Sequence, residues 1–196
     1  MAARPREFDM DSVLEAAMRA FWTRGYEATS MADLMEATGL QKGSLYKAFG
    51  DKHTLFLQTL KRYMEKGLEE KRKAVAGAEG ALEKIDRIFK RMMEVSKESE
   101  CCGCYTANTL VELSQHDQAA AQLLQNHIQE LAAFYVPIFA QGQKAGEIRN
   151  DQSAEDIFQF YMIFMIGLAS FSKGAMTDEH MAVQKDLLLN MLKASD

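Results

Sequence analysis

Two groups of residues in this chain have types and spacing that can do chemistry. The first is Cys101, Cys102 and Cys104. Thiols this close can exchange with disulfides, bind soft metals or react with electrophiles, and in each case the thiolate is the working form. Cys101 and Cys104 make a C-x-x-C pair, which would suggest thiol exchange in a βαβ setting, but no strand pattern here builds such a fold. A zinc site needs further ligands, and the nearby sequence offers only Glu112, His116 and Asp117, so neither a metal nor another cofactor is expected. The second group is basic and polar. From Leu40 to Lys66 the six bases Lys42, Lys47, Lys52, Lys61, Arg62 and Lys66 face the two acids Asp51 and Glu65, a local charge of +4 on a chain whose 23 bases and 28 acids sum to −5. A basic patch on an acidic body suits a molecule that meets a phosphate backbone with one end only.

Helices must position both groups. With 196 residues, 47% of them hydrophobic, and only two prolines, Pro5 and Pro137, the chain has turn makers too few for a many-stranded sandwich, and an all-α fold is expected. Asp9 or Asp11 opens a first helix whose Leu14, Ala17, Met18, Phe21 and Trp22 share one face, and Gly25 ends it. Ser30 and Asp33 have capping-box spacing for a second helix, which stops at Gly39. A third follows from Gln41 to Ala48, Gly50 ends it, and Asp51 caps a long fourth. A fifth carries Leu82, Ile85, Ile88, Phe89 and Met92, a sixth runs from about Gly103 to Leu113, and a seventh contains Pro137, which should kink it before the Gly142 to Asp151 turn. Ser153 caps an eighth, and Thr177 or Asp178 opens a ninth. The eighth helix is apolar nearly all round, which calls for cover on every side, so a homodimer through helices eight and nine is expected.

Ser30 to Phe49 has the spacing of a helix-turn-helix, with Gly39 supplying the turn. Its second helix would present Gln41, Lys42, Ser44, Leu45 and Lys47 to a major groove, while Gly43 lets the backbone approach phosphate and Tyr46 offers a phenol. Ser30, Lys52 and His53, at the starts of helices two and four, would hold phosphates on either side.

The string Phe21-Trp22-Thr23-Arg24-Gly25-Tyr26-Glu27-Ala28-Thr29-Ser30, followed by Gly39-Leu40-Gln41-Lys42-Gly43-Ser44-Leu45-Tyr46-Lys47-Ala48-Phe49 and Asp51-Lys52, closely resembles the DNA-binding domain of TetR-family transcriptional regulators. The resemblance implies a nine-helix homodimeric bacterial repressor, with residues 1–52 binding double-stranded operator DNA and residues 53–196 holding the ligand and the partner subunit. By position it assigns phosphate contacts to Thr29, Ser30, Tyr46 and Lys52. It assigns the recognition surface to Gln41, Lys42, Ser44, Leu45 and Lys47. Gln41 stands where the family often carries a serine or threonine cap.

The run from Cys101 to Thr109, with Glu112 and Leu113, resembles the sixth-helix motif of a TetR subgroup that includes electrophile-sensing repressors of the N-ethylmaleimide-responsive type. That likeness implies that Cys104 reacts with electrophiles or oxidants and releases DNA, with Cys101 and Cys102 beside it. A helix N-terminus favours thiolate, and Lys173 is a base expected near the sulfur. The alternative is that Cys104 is a small core residue among Met92, Met93 and aromatic rings. A small-molecule pocket is expected around Met92, Tyr105, Asn108, Glu112, Tyr135 and Tyr161, and His127 is expected at the surface or satisfied in the core.

The rival reading is a thiol-dependent enzyme or a thiol- or metal-binding protein. No Ser-His-Asp set, phosphate-binding glycine loop or HExxH motif supports catalysis, and none is expected. The longest apolar stretch, Phe158 to Phe171, is broken by Gln159, Gly167 and Ser170 and is shorter than the ~20 residues a bilayer span needs. A cytoplasmic location without membrane contact follows as the expectation.

Overall fold

The computed structural model describes residues 8–98, 103–171 and 176–194. Among these residues it contains nine helices and no strand: α1 Met10–Arg24, α2 Met31–Thr38, α3 Lys42–Phe49, α4 Lys52–Val75, α5 Ala81–Glu98, α6 Tyr105–Leu113, α7 Gln118–Lys144, α8 Ala154–Phe171 and α9 Asp178–Leu192. The caps read from the sequence set most boundaries. Asp9 accepts from the Asp11 and Ser12 amides, and Gly25 closes α1 with φ 87°. Thr177 caps α9 through the His180 amide, and Asp117 caps α7 through that of Ala120.

The chain divides into two compact units, Met1–Tyr63 and Met64–Asp196. The first runs past residue 52 because the start of α4 completes its core: Leu55, Phe56 and Leu60 are buried with Val13, Ala17, Phe21 and Trp22 of α1, Leu34 of α2, and Leu45 and Phe49 of α3. Aromatic edges lock this core, with Phe21 and Phe56 centroids 5.4 Å apart and Trp22 and Tyr63 4.9 Å apart.

In the second unit α7 and α8 form the central pair. The inward face of α8 carries Ala154, Ile157, Phe158, Tyr161, Met165 and Leu168, at helical spacing. Tyr135 of α7 sits among Phe134, Phe139, Phe158 and Tyr161. By length and composition α8 is able to cross a membrane, with 18 residues of mean hydropathy 1.3. Its inward face is nonetheless core, and its outward face keeps Phe160, Ile163 and Phe171 exposed, Ile163 by 72%. On α9, Val183, Leu187 and Met191 make a second exposed apolar strip with a spacing of four.

One sequence expectation is corrected here. Gly142 does not belong to the turn after α7 but lies inside the helix, buried. A Cβ at this position would come within 2.6 Å of Ala81 Cβ on α5 and 2.8 Å of Ile148 Cδ1, so the glycine permits close approach of packed elements. The turn proper is made by Gly146, φ 72°, after which Arg149 N donates to Leu192 O and Ala194 N to Glu147 O, tying the end of α9 to this loop. The helix α7 runs through Pro137 without a break.

Gly142→Ala is expected to cost about 1–3 kcal/mol by overpacking, whereas Gly43→Ala, with nothing within 4 Å of the added methyl, leaves stability equal or higher. Urea unfolding of both variants checks this, and equal stability for both would contradict it.

Candidate functional site

Within the first unit, α2 and α3 are joined by a turn whose only left-handed residue is Gly39, φ 68° and ψ 9°. Ser30 and Asp33 form a full capping box at the start of α2: Ser30 Oγ accepts the Asp33 amide at 3.2 Å and Asp33 Oδ2 accepts the Ser30 amide at 2.8 Å. Arg24, at the end of α1, pairs with the same carboxylate. The Ser30 hydrogen bonds, followed by Arg24, hold Asp33 down at about 2. At the start of α4, Asp51 Oδ1 accepts the Thr54 amide at 2.7 Å.

The α3 residues expected to meet DNA separate by burial. Gln41, Lys42, Gly43, Tyr46 and Lys47 are exposed, and Ser44 is half-buried. Gln41 is the N-cap residue, but its side chain makes no cap bond, so the amide stays with the outward face. The Lys42 amine lies 5.8 Å from the Tyr46 ring centroid. Leu45 requires correction: it is 2% exposed and belongs to the core, because Leu45 and Phe49 are the apolar i, i+4 pair by which α3 is buried.

Thr29 requires correction too. It is fully buried, and its hydroxyl donates to Gly25 O at 2.6 Å, fastening the loop after α1, so it cannot reach a phosphate directly. Ser30 is exposed. Lys52 and His53 are half-buried and pack on Tyr26, Lys52 with its amine 4.3 Å from the ring centroid and 3.5 Å from Glu27 O, His53 edge-on at 6.0 Å.

In the second unit, Cys104 is the N-cap residue of α6, half-buried and not in a disulfide. Cys101, Cys102 and Lys173 lie outside the described residues. Lys71 of α4, which the sequence hid within the charged run Glu69-Glu70-Lys71-Arg72-Lys73, is pushed down by burial of its amine, whose Nζ donates to Gly67 O at 3.2 Å. His127 of α7 is 7% exposed, burial pushes it down, and its Nδ1 lies 3.4 Å from Glu130 Oε2.

The six residues expected around a pocket do not converge on one open space. Tyr135 and Tyr161 are buried, with hydroxyls 3.3 Å apart, and burial pushes Tyr161 up to about 12. Tyr105 is buried at the start of α6, Asn108 and Glu112 are half-buried on the same helix, and Met92 packs on the core from α5. A hollow of about 340 Å³ lies between α6 and α7 instead, lined by Leu110, Ser114, Ala121, Leu124, Gln125, Ile128 and Gln129. Among the described residues no group of three or more His, Cys, Asp or Glu could hold a metal ion.

Comparison with known proteins decides the family. Residues 13–59 match the bacterial regulatory proteins of the tetR family, and residues 81–186 match the tetracyclin repressor-like C-terminal domain. The chain belongs to the TetR family. The HTH-type transcriptional repressor ComR of Escherichia coli is 30% identical over 184 residues, covering 92% of this chain and 87% of ComR. Among solved TetR-family structures, a cysteine mutant of the regulator CifR complexed with 26-bp double-strand operator DNA is 28% identical, with a TM-score of 0.83 over 95% of this chain and 98% of that one. Reduced Escherichia coli NemR, 15% identical, shares the fold, with a TM-score of 0.80 over 94% and 97% of the two chains.

The depressed value of Asp33 sets the sign of a pH effect in this TetR-family domain. Stability from the ionised capping box is complete above the ordinary carboxylate value of 3.8 and is lost as pH falls through about 2. Thermal melts from pH 5 to 2 are expected to fall more steeply for the natural chain than for Asp33→Asn, and parallel curves would show that the box is not linked to folding.

Proposed function

We propose that the protein is a DNA-binding transcriptional repressor that a small-molecule ligand or a cysteine modification releases from operator DNA. The observation that carries this reading is the outward strip of α3, Gln41, Lys42, Gly43, Tyr46 and Lys47, with both lysines exposed and no acid in the first turn of the helix. Lys42 and Lys47 supply charge to phosphates, Gln41 can bond base edges, and Gly43 admits the backbone to close approach. Ser30 and the half-buried Ser44, Lys52 and His53 flank that strip as second-rank contacts. CifR, similar over nearly the whole chain, is named as bound to operator DNA, which supports the same role here.

DNA binding is assigned to residues 1–52, and ligand binding and dimerisation to residues 53–196, with α4 as the helix that passes from one to the other. The outward strips of α8 and α9 support a homodimer through these two helices: six exposed apolar side chains, Phe160, Ile163, Phe171, Val183, Leu187 and Met191, are a large cost for a monomer in water. A dimer meets two half-sites spaced by whole turns of about 34–36 Å, so a small rotation of either reading head weakens both contacts. An inducer that weakens DNA binding must itself bind less well to the DNA complex. Such a regulator works where the bacterial DNA is, in the cytoplasm, and neither membrane binding nor catalysis forms part of this role.

Gel shifts on the intergenic DNA beside its own gene test the assignment. Lys47→Ala is expected to weaken binding and to reduce the salt slope by about one, with the melting temperature held. An unchanged slope and affinity for both Lys47→Ala and Lys42→Ala would remove α3 from the interface. Ile163→Glu with Leu187→Glu is expected to give monomers in sedimentation and to lose specific binding, whereas a dimer that persists would exclude α8 and α9 as the seam.

A further inference from the structure

The corner where α1 gives way to α2 carries a cation that the outward strip of α3 does not account for. Arg24 is exposed, its side chain by 51%, and among the described residues its guanidinium has one partner, Asp33 Oδ1, which it meets through Nη1. A guanidinium holds five N–H donors in a planar fork, so most of those of Arg24 are left over. The other oxygen of Asp33 is taken: Oδ2 accepts the Ser30 amide at 2.8 Å and the Ser30 hydroxyl at 2.6 Å. These bonds bear on how the corner can meet a phosphate. The hydroxyl proton of Ser30 is spent on the carboxylate, and the carboxylate, held at about 2, stays ionised near neutral pH. A second anion brought here is repelled by the first unless a cation stands with them, and Arg24 is that cation. Across the same loop, the Lys52 amine lies 3.5 Å from Glu27 O and 4.3 Å from the Tyr26 ring centroid, so the connection from α1 to α2 is bracketed by two positive groups. An ion pair with so exposed an arginine adds little to stability, and the box of Ser30 and Asp33 closes without it.

We propose that Arg24 is a contact to the DNA backbone: it keeps Nη1 on Asp33 and gives its remaining N–H groups to one phosphate of the strand that passes the α1–α2 corner. The Ser30 hydroxyl, spent on Asp33, fills that role only in second rank. Asp33 aims the arginine. A long side chain already held by a fixed carboxylate loses less freedom when it takes a phosphate, and the planar fork can serve both anions at once. Such a contact carries no sequence information and instead sets where the reading helix lies along the duplex. The inference rests on the DNA-binding reading above and adds to it a residue outside α3.

The test uses the full-length protein and the intergenic DNA beside its own gene, with gel shifts over a range of salt and a scan of single methylphosphonate substitutions, each of which removes the charge of one phosphate. Arg24→Gln is expected to weaken specific binding about tenfold, to reduce the salt slope by about one per subunit, and to abolish the sensitivity to one methylphosphonate in each half-site. Arg24→Lys keeps the charge without the fork and is expected to hold the natural slope at an affinity about threefold lower. Asp33→Asn removes the carboxylate and leaves the arginine, and is expected to hold the slope as well. A slope and a methylphosphonate pattern unchanged in Arg24→Gln would overturn the role of Arg24. So would a slope that drops as far in Arg24→Lys, since charge would then not be what matters, or as far in Asp33→Asn, the sign of a loosened capping box. Natural protein that binds no DNA specifically counts against the proposed function itself, whereas specific binding that Arg24→Gln leaves intact counts against this inference alone.

Discussion

Helices of eight residues do not persist in water on their own, because so few backbone bonds cannot repay the cost of nucleation. Both α2 and α3 are this short, so each stands only by burying one side. Leu34 does this for α2, and Leu45 and Phe49 do it for α3, all of them in the buried core of the first unit. Orienting α3 by its apolar pair leaves Gln41, Lys42, Tyr46 and Lys47 facing water. The surface proposed to meet DNA is therefore a by-product of core packing. The capping box of Ser30 and Asp33, the Arg24 pair and the left-handed Gly39 fix where α2 begins and how it hands over to α3, and Thr29 fastens the loop before them.

The second unit meets an opposite problem, an excess of apolar surface. One face of α8 is consumed by the core with α7, and the other, with the strip on α9, has no cover among the described residues. Under the proposed function, a second copy covers it and makes a two-headed reader out of a one-headed chain.

Much of this was legible in the sequence, for local reasons. Caps are short-range devices, and Asp9, Ser30, Asp33, Gly39 and Thr177 announced helix ends that the structure keeps. The expected start of the sixth helix at about Gly103 also put Cys104 at the beginning of α6, where the structure has it. What the sequence could not disclose depends on register and on distant partners. Leu45 looked like part of a polar helix, although its spacing from Phe49 was a readable sign of an inward face. Thr29 looked like a phosphate ligand because its carbonyl acceptor, Gly25, appears only once the loop has closed. Gly142 looked like a turn residue because the Ala81 and Ile148 side chains that require its small size come from elsewhere in the chain. The burial of the Lys71 amine carried no signal at all, since a lysine in a charged run is the commonest kind of solvated residue.

The central claim is that DNA is met by the outward face of α3 and the helix starts beside it. Hydrogen-exchange mass spectrometry of the dimer, free and bound to the DNA segment it retains, tests this most directly. Added protection is predicted in peptides spanning residues 30–33 and 41–53, with none in the middle of α7. Protection confined to the second unit, with residues 41–53 exchanging as in the free protein, would contradict the account.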